Sequence, residues 1–144
     1  MSPILSDGYS IYFNENGPES LNFLLECKKY SKIFLLVDEN TNEHCSGKFL
    51  GDLATEIPIE IIEIESGESA KDIEICVELW RFLTENGADR KAVIINLGGG
   101  VISDIGGFIA STYKRGIDYI NVPTTLLAMV DASIGGKNGI DLDQ

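Results

Sequence analysis

Short apolar blocks recur along the chain, and between them lie stretches whose apolar residues are spaced three and four apart. Residues 9–13, Tyr-Ser-Ile-Tyr-Phe, are β-branched and aromatic and predict a strand. Residues 14–17 read as a turn. Pro18 and Glu19 then open a helix through Leu21, Phe23, Leu24, Leu25 and Cys27, since proline and an acid both suit a first helical turn. Residues 32–37 are apolar after one lysine and do not alternate, so they predict a strand covered on both faces, as in a parallel sheet. A helix weakened by Gly47 and Gly51 is expected over residues 44–53. Residues 58–64 predict an edge strand, because glutamates interrupt the isoleucines and imply one solvated face. Residues 67–71 form a loop feeding a long helix. There Ile73, Cys76, Val77, Trp80 and Leu83 follow the spacing of a buried stripe. Asn86-Gly87 supplies the left-handed ending that helices favour. Residues 91–97 are the next, nearly all-apolar, strand.

Strand and helix alternate throughout, which predicts an α/β fold with a doubly wound, mostly parallel sheet. No repeat, low-complexity segment or linker divides residues 1–144, so one domain is expected. Residues 139–144 read as the entrance to another element, which suggests the N-terminal part of a longer protein.

Composition narrows the function classes. A formal net charge of −12 argues against a nucleic-acid surface and against an anionic membrane. The acid is concentrated before residue 97, so the later, more neutral stretch is where an anion is best tolerated. No run approaches the roughly 20 apolar residues of a membrane span. The N-terminus has neither the basic nor the apolar region of a signal peptide. Cys27, Cys45 and Cys76 are odd in number and widely spaced, the pattern of reduced, mostly buried thiols in a cytoplasmic protein. His44 is the one histidine. A zinc site built from this chain alone would lean on carboxylates or thiols at nearly every position, which is uncommon.

Candidate chemistry gathers in residues 96–142, which hold nine of the fifteen glycines, placed where strands should end and helices begin. Gly98-Gly99-Gly100 follows a strand and precedes a helix. This is either a tight turn or a cradle in which bare backbone and free amides meet a phosphate. It is not the usual G-x-G-x-x-G dinucleotide fingerprint. Gly136-Lys137 is not a Walker loop either, because Asp131 stands where the first glycine would be. Asp104, in the first turn after the glycines, either complements the helix dipole or holds a sugar hydroxyl. Asp38-Glu39-Asn40 ends a buried strand, and a carboxylate with an amide suits the paired hydroxyls of a ribose. The same residues are also common in turns. Thr124 and Thr125 follow Pro123 at a helix start, where a cap needs only one of them. Asp131 and Lys137 are candidates for substrate contact, and Arg115 beside Gly116 is a second anion-binding candidate. Lys137 and Arg115 can equally be solvated surface charges.

The run from Gly98 through Asp141, GGGVISDIGGFIASTYKRGIDYINVPTTLLAMVDASIGGKNGID, closely resembles the 3-dehydroquinate synthase family. The GExxK element at residues 67–71 and the DxN element at 38–40 match the family in the same order. The resemblance covers the chain from about residue 30 onward. It implies a Rossmann-like NAD-binding domain followed by a helical C-terminal domain that this chain lacks. It implies conversion of 3-deoxy-arabino-heptulosonate 7-phosphate to 3-dehydroquinate and phosphate in the shikimate pathway, with NAD used transiently and a divalent metal, zinc or cobalt, holding substrate hydroxyls. Carried over by position, Asp38, Asn40, Glu68, Lys71, Gly99, Gly100, Val101, Asp104, Thr124, Thr125 and Lys137 are expected at NAD. Asp131 and Lys137 face the substrate, and Arg115 reaches a substrate in the neighbouring subunit of a homodimer. The family's metal ligands, a glutamate and two histidines, fall beyond residue 144, so the 144 residues alone are expected to be inactive. Ser103 and Asn138 depart from the family's common glycine and threonine without changing its chemistry. The alternatives are a sister sugar-phosphate cyclase of the 2-deoxy-scyllo-inosose synthase type, and a stand-alone nucleotide-binding module.

Overall fold

The computed structural model describes residues 4–6, 9–11, 17–67 and 72–124. Two short strands, β1 (Ile4–Ser6) and β2 (Tyr9–Ile11), pair antiparallel. Only the second, three residues long like the first, was expected. Helix α1 (Gly17–Lys28) follows, and strand β3 (Ile33–Asp38) begins the main sheet. A helical segment then runs without a break through α2 (Glu39–Thr41), a π turn (Asn42–Ser46) and α3 (Gly47–Asp52). Strand β4 (Ile59–Ile64), helix α4 (Ile73–Glu85), strand β5 (Val93–Gly98), helix α5 (Gly100–Thr112), a 3-10 turn (Tyr113–Arg115) and strand β6 (Asp118–Pro123) complete the described chain.

The main sheet has the order β4-β3-β5-β6, and all its neighbours are parallel. β3 and β5 lie in the middle. Ile33 through Val37 and Val93 through Gly98 are buried at every position, as expected of strands covered on both faces. β4 is an edge, with Ile61 and Glu63 exposed and Ile62 and Ile64 buried. Glu60 turns to the other face, half-buried, and pairs with Lys32 at 3.4 Å.

The two faces have separate cores. On one, Leu21, Leu25 and Tyr30 pack with Ile33, Leu35, Val37, Val93 and Ile95, joined by Phe49, Leu50 and Leu53. On the other, α4 and α5 cover Phe34, Leu36, Ile62, Ile64 and Ile94. The chain thus winds one way from β3 to β4 and the opposite way from β5 to β6. The switch point falls between the adjacent strands β3 and β5, and ligands of open α/β sheets sit at the carboxyl ends of strands there.

The buried stripe of α4 differs from the expected one. Cys76, Leu79 and Leu83 face the sheet, whereas Ile73 is 60% and Val77 38% exposed. Apolar residues occupy more than one side of α4, and the spacing alone does not say which side meets the sheet. Trp80 is half-buried on the flank toward α5, its ring near Phe108 and its Nε1 donating to Thr112 Oγ1 at 3.0 Å. Asn86-Gly87 closes α4 as expected, with Gly87 at φ +81°. The helix expected over 44–53 begins earlier, at Glu39, because Asp38 caps it. Among the described residues, no helix is long and apolar enough to cross a membrane.

Candidate functional site

Parallel register brings three loops to one edge. Leu36 is level with Asn96 across β3 and β5, and Gly98 is level with Pro123 across β5 and β6. Asp38 and Gly98 each stand two residues beyond the Leu36–Asn96 rung, and Thr124 follows Pro123. The carboxyl ends of three adjacent strands therefore carry Asp38, the Gly98–Gly100 run and Thr124.

The three glycines are glycine for different reasons. A β-carbon on Gly98 would meet Ile102 Cγ1 at 2.8 Å and Ile102 Cβ at 2.9 Å, so Gly98 is set by packing against α5. Among the described residues, a β-carbon on Gly99 or Gly100 would meet nothing within 4 Å. Neither residue has a positive φ, and Gly99 sits at φ −90°, ψ −159°, which any residue adopts. Neither conformation nor packing among the described residues asks for glycine at these two positions. Gly99 is the N-cap of α5 and, having no side chain, makes no capping bond itself, so the start of this helix, on a central strand at the switch point, is not capped by its own N-cap residue. Open space beside bare backbone and uncapped amides is what an anionic group needs there.

Asp38 already has a structural task. Its Oδ1 accepts from the amides of Asn40 at 2.9 Å and Thr41 at 2.8 Å, and Thr41 Oγ1 accepts from the Asp38 amide at 3.0 Å, completing a capping box. These bonds fall on Oδ1, and among the described residues Oδ2 accepts none, so one oxygen keeps its capacity for a ligand. Asn40 is exposed beside it. Glu39, which sequence reasoning passed over, accepts from the Ser66 amide at 2.9 Å and the Ser66 hydroxyl at 2.6 Å. It thereby ties the loop after β3 to the loop after β4. The Ser66 hydroxyl foremost, then the backbone amides of Glu39 and Ser66, hold the Glu39 carboxyl below its ordinary value. Val101 and Asp104 are half-buried in the first turns of α5, with Asp104 Oδ1 enclosed.

Arg115 is not brought to this edge. It ends the 3-10 turn ahead of β6, at the amino ends of the strands, in a tight reversal where Lys114, Arg115 and Gly116 all have positive φ. Six-residue strands separate the two edges by roughly 20 Å. Glu68, Lys71, Thr125, Asp131 and Lys137 lie outside the described residues. Among the described residues no three of His, Cys, Asp or Glu group as metal ligands. The cysteines are not mostly buried as expected: only Cys76, facing the sheet, is buried, while Cys45 is half-buried and Cys27, on the outer side of α1, is exposed.

A parallel sheet covered on both faces, with a glycine-led helix opening at its switch point, defines a Rossmann-like α/β domain. The family model for the 3-dehydroquinate synthase N-terminal region matches residues 61–144. The chain belongs to the 3-dehydroquinate synthase family. It is 45% identical over 134 residues to 3-dehydroquinate synthase of Alkaliphilus oremlandii, covering 92% of this chain and 37% of the relative. It is 42% identical over 138 residues to that of Campylobacter jejuni, covering 94% and 36%. The chain thus spans somewhat over a third of the length of these relatives. Among solved structures it resembles 2-deoxy-scyllo-inosose synthase complexed with carbaglucose-6-phosphate, NAD+ and Co2+, at TM-score 0.71 and 26% identity, covering 88% of this chain and 35% of that one. It also resembles 2-epi-5-epi-valiolone synthase from Streptomyces hygroscopicus with NAD+ and Zn2+, at TM-score 0.65 and 26% identity, covering 92% and 37%.

Proposed function

We propose that this chain is the NAD-binding N-terminal domain of an enzyme converting 3-deoxy-arabino-heptulosonate 7-phosphate to 3-dehydroquinate and phosphate, a lyase of the shikimate pathway. The observation that carries the reading is the open, uncapped backbone of Gly99 and Gly100 at the switch point. Their amides take the cofactor's diphosphate. Asp38, through Oδ2, and Asn40 take ribose hydroxyls. Glu68, Lys71, Val101, Asp104, Thr124 and Thr125 complete the cofactor contacts. NAD, when bound, supplies a reversible hydride acceptor. Asp131 and Lys137 serve the nicotinamide end and the sugar phosphate. Arg115, on the opposite edge, serves a substrate in the second subunit of a homodimer. The divalent metal of the full-length enzyme is held by residues beyond 144. The enzyme acts in the cytoplasm.

The higher identity to 3-dehydroquinate synthases, 45% against 26% for the sister cyclase, favours this substrate over the sister's. The test is phosphate release from the heptulosonate phosphate by the complete gene product with NAD and zinc, before and after chelation. Metal-dependent release with 3-dehydroquinate formed supports the reading. A folded, NAD-binding protein that releases none refutes it in favour of a sister cyclase or a non-catalytic module.

A further inference from the structure

Asn96 is fully buried in a strand that is otherwise apolar apart from its terminal glycine. Its Nδ2 donates to Oδ1 of Asn121, its rung partner on β6, at 2.9 Å. Its own Oδ1 is buried and, among the described residues, accepts no N–H or O–H. That oxygen lies where Gly106 would carry a side chain: a β-carbon there would overlap Oδ1 and stand 2.7 Å from Nδ2. A buried amide oxygen without a donor is unfavourable, and glycine inside a helix is less stable than alanine. Two choices that each cost stability, made at one point of contact, are best explained by what that contact positions.

The three residues share their placement. Asn96 is two residues ahead of Gly98, Asn121 is three ahead of Thr124, and Gly106 is two beyond Asp104. We infer that Asn96, Asn121 and Gly106 form a positioning lock for the cofactor edge. The absent side chain at Gly106 lets α5 sit close on β5 and β6, and the Asn96–Asn121 bond holds the two strands level. Together they set where the amides of Gly99 and Gly100 stand relative to Thr124. None of the three touches the cofactor. The inference rests on the reading that this edge binds NAD.

The test uses the complete gene product and measures NAD affinity by calorimetry, urea stability, and amide exchange of residues 99–103 without ligand. Gly106→Ala drives a methyl into Asn96 and displaces α5. NAD binding then weakens by about tenfold to a hundredfold and those amides exchange faster. The double variant Asn96→Ala with Gly106→Ala removes the obstructing amide and restores both readouts to within about threefold. Gly106→Ala that loses urea stability while keeping NAD affinity and amide exchange overturns the inference, leaving the three residues a purely structural contact. Weakening that the double variant fails to reverse overturns it as well. If Gly106→Ala does not fold, Asn121→Ala removes the bond without adding an atom and is expected to weaken NAD several-fold, and unchanged affinity there overturns the lock. An unchanged protein that binds no NAD removes the NAD reading and this inference together.

Discussion

Replacing the three consecutive glycines by alanine, one at a time, separates packing from ligand binding. Alanine at 98 places a methyl 2.8 Å from Ile102 Cγ1, against the 3.5–4.0 Å of an ordinary carbon contact. Ile102 is 2% exposed, and its branched side chain has little rotamer freedom on a helix, so it has little room to retreat. Overpacking of this kind costs about 1–3 kcal/mol. Alanine at 99 or 100 meets nothing within 4 Å among the described residues and needs no unusual backbone. At 100, inside the helix, it adds up to about 1 kcal/mol of stability. At 99 the loss of a good cap residue and the gain in unfolded-state entropy are of similar size, so the net change is about zero. Binding should follow the opposite order. A methyl at 99 or 100 occupies the space through which a diphosphate reaches the amides. Losing one charge-assisted hydrogen bond, worth about 1.5–3 kcal/mol, weakens NAD by about tenfold to a hundredfold. Urea unfolding and NAD calorimetry on the same preparations give both numbers. If Gly99→Ala and Gly100→Ala bind NAD as tightly as the unchanged protein, the cradle reading is wrong.

Other predictions concern the rest of the chain. Leu83→Ala should cost about 2–5 kcal/mol in urea unfolding, since Leu83 is fully buried, whereas Ile73→Ala, at an exposed position, should stay within about 0.5 kcal/mol. Equal losses would restore the originally expected stripe. Burial first, and then the hydrogen bond it donates to Asp118 at 2.6 Å, raise the Tyr30 hydroxyl above its ordinary value. A raised pKa favours the protonated, folded form, so this stability is complete below about pH 10 and is lost as the pH rises beyond it. Tyr30→Phe should therefore lower stability at neutral pH and flatten its decline in alkali, and an unchanged alkaline limb would contradict this. Arg115→Ala should leave NAD affinity unaltered, because the residue lies at the other edge of the sheet, while abolishing phosphate release by the complete gene product. Weakened NAD binding would place Arg115 wrongly.

Much of this architecture was legible because burial on both faces leaves a plain mark. β3 and β5 read as nearly continuous apolar runs, and a strand flanked by solvent on one side, β4, shows its glutamates. The glycine run was legible as a candidate cradle, but sequence alone did not separate Gly98, which packing requires, from Gly99 and Gly100, which it does not. The stripe on α4 went wrong because apolar residues cover a wide arc of that helix. Ile73 and Val77 satisfy the period as well as Leu79 does, and only the position of the sheet decides between them. The start of the helix after β3 was missed because Asp38 was read as a strand-end ligand, whereas its Oδ1 also caps. Glu39 and Ser66 meet across 27 residues, and Asn96 and Asn121 across 25. Such contacts leave no local period. The one available signal was an asparagine inside each of two apolar strands, and its meaning depends on strand order, which the sequence did not supply.

The most direct test of the account is a crystal structure of the complete gene product with NAD bound. In it, the diphosphate oxygens should lie within about 2.7–3.2 Å of the amides of Gly99 and Gly100, with a ribose against Asp38 and Asn40. A nucleotide bound anywhere else, at the Arg115 edge for instance, or no nucleotide under saturating NAD, would contradict it.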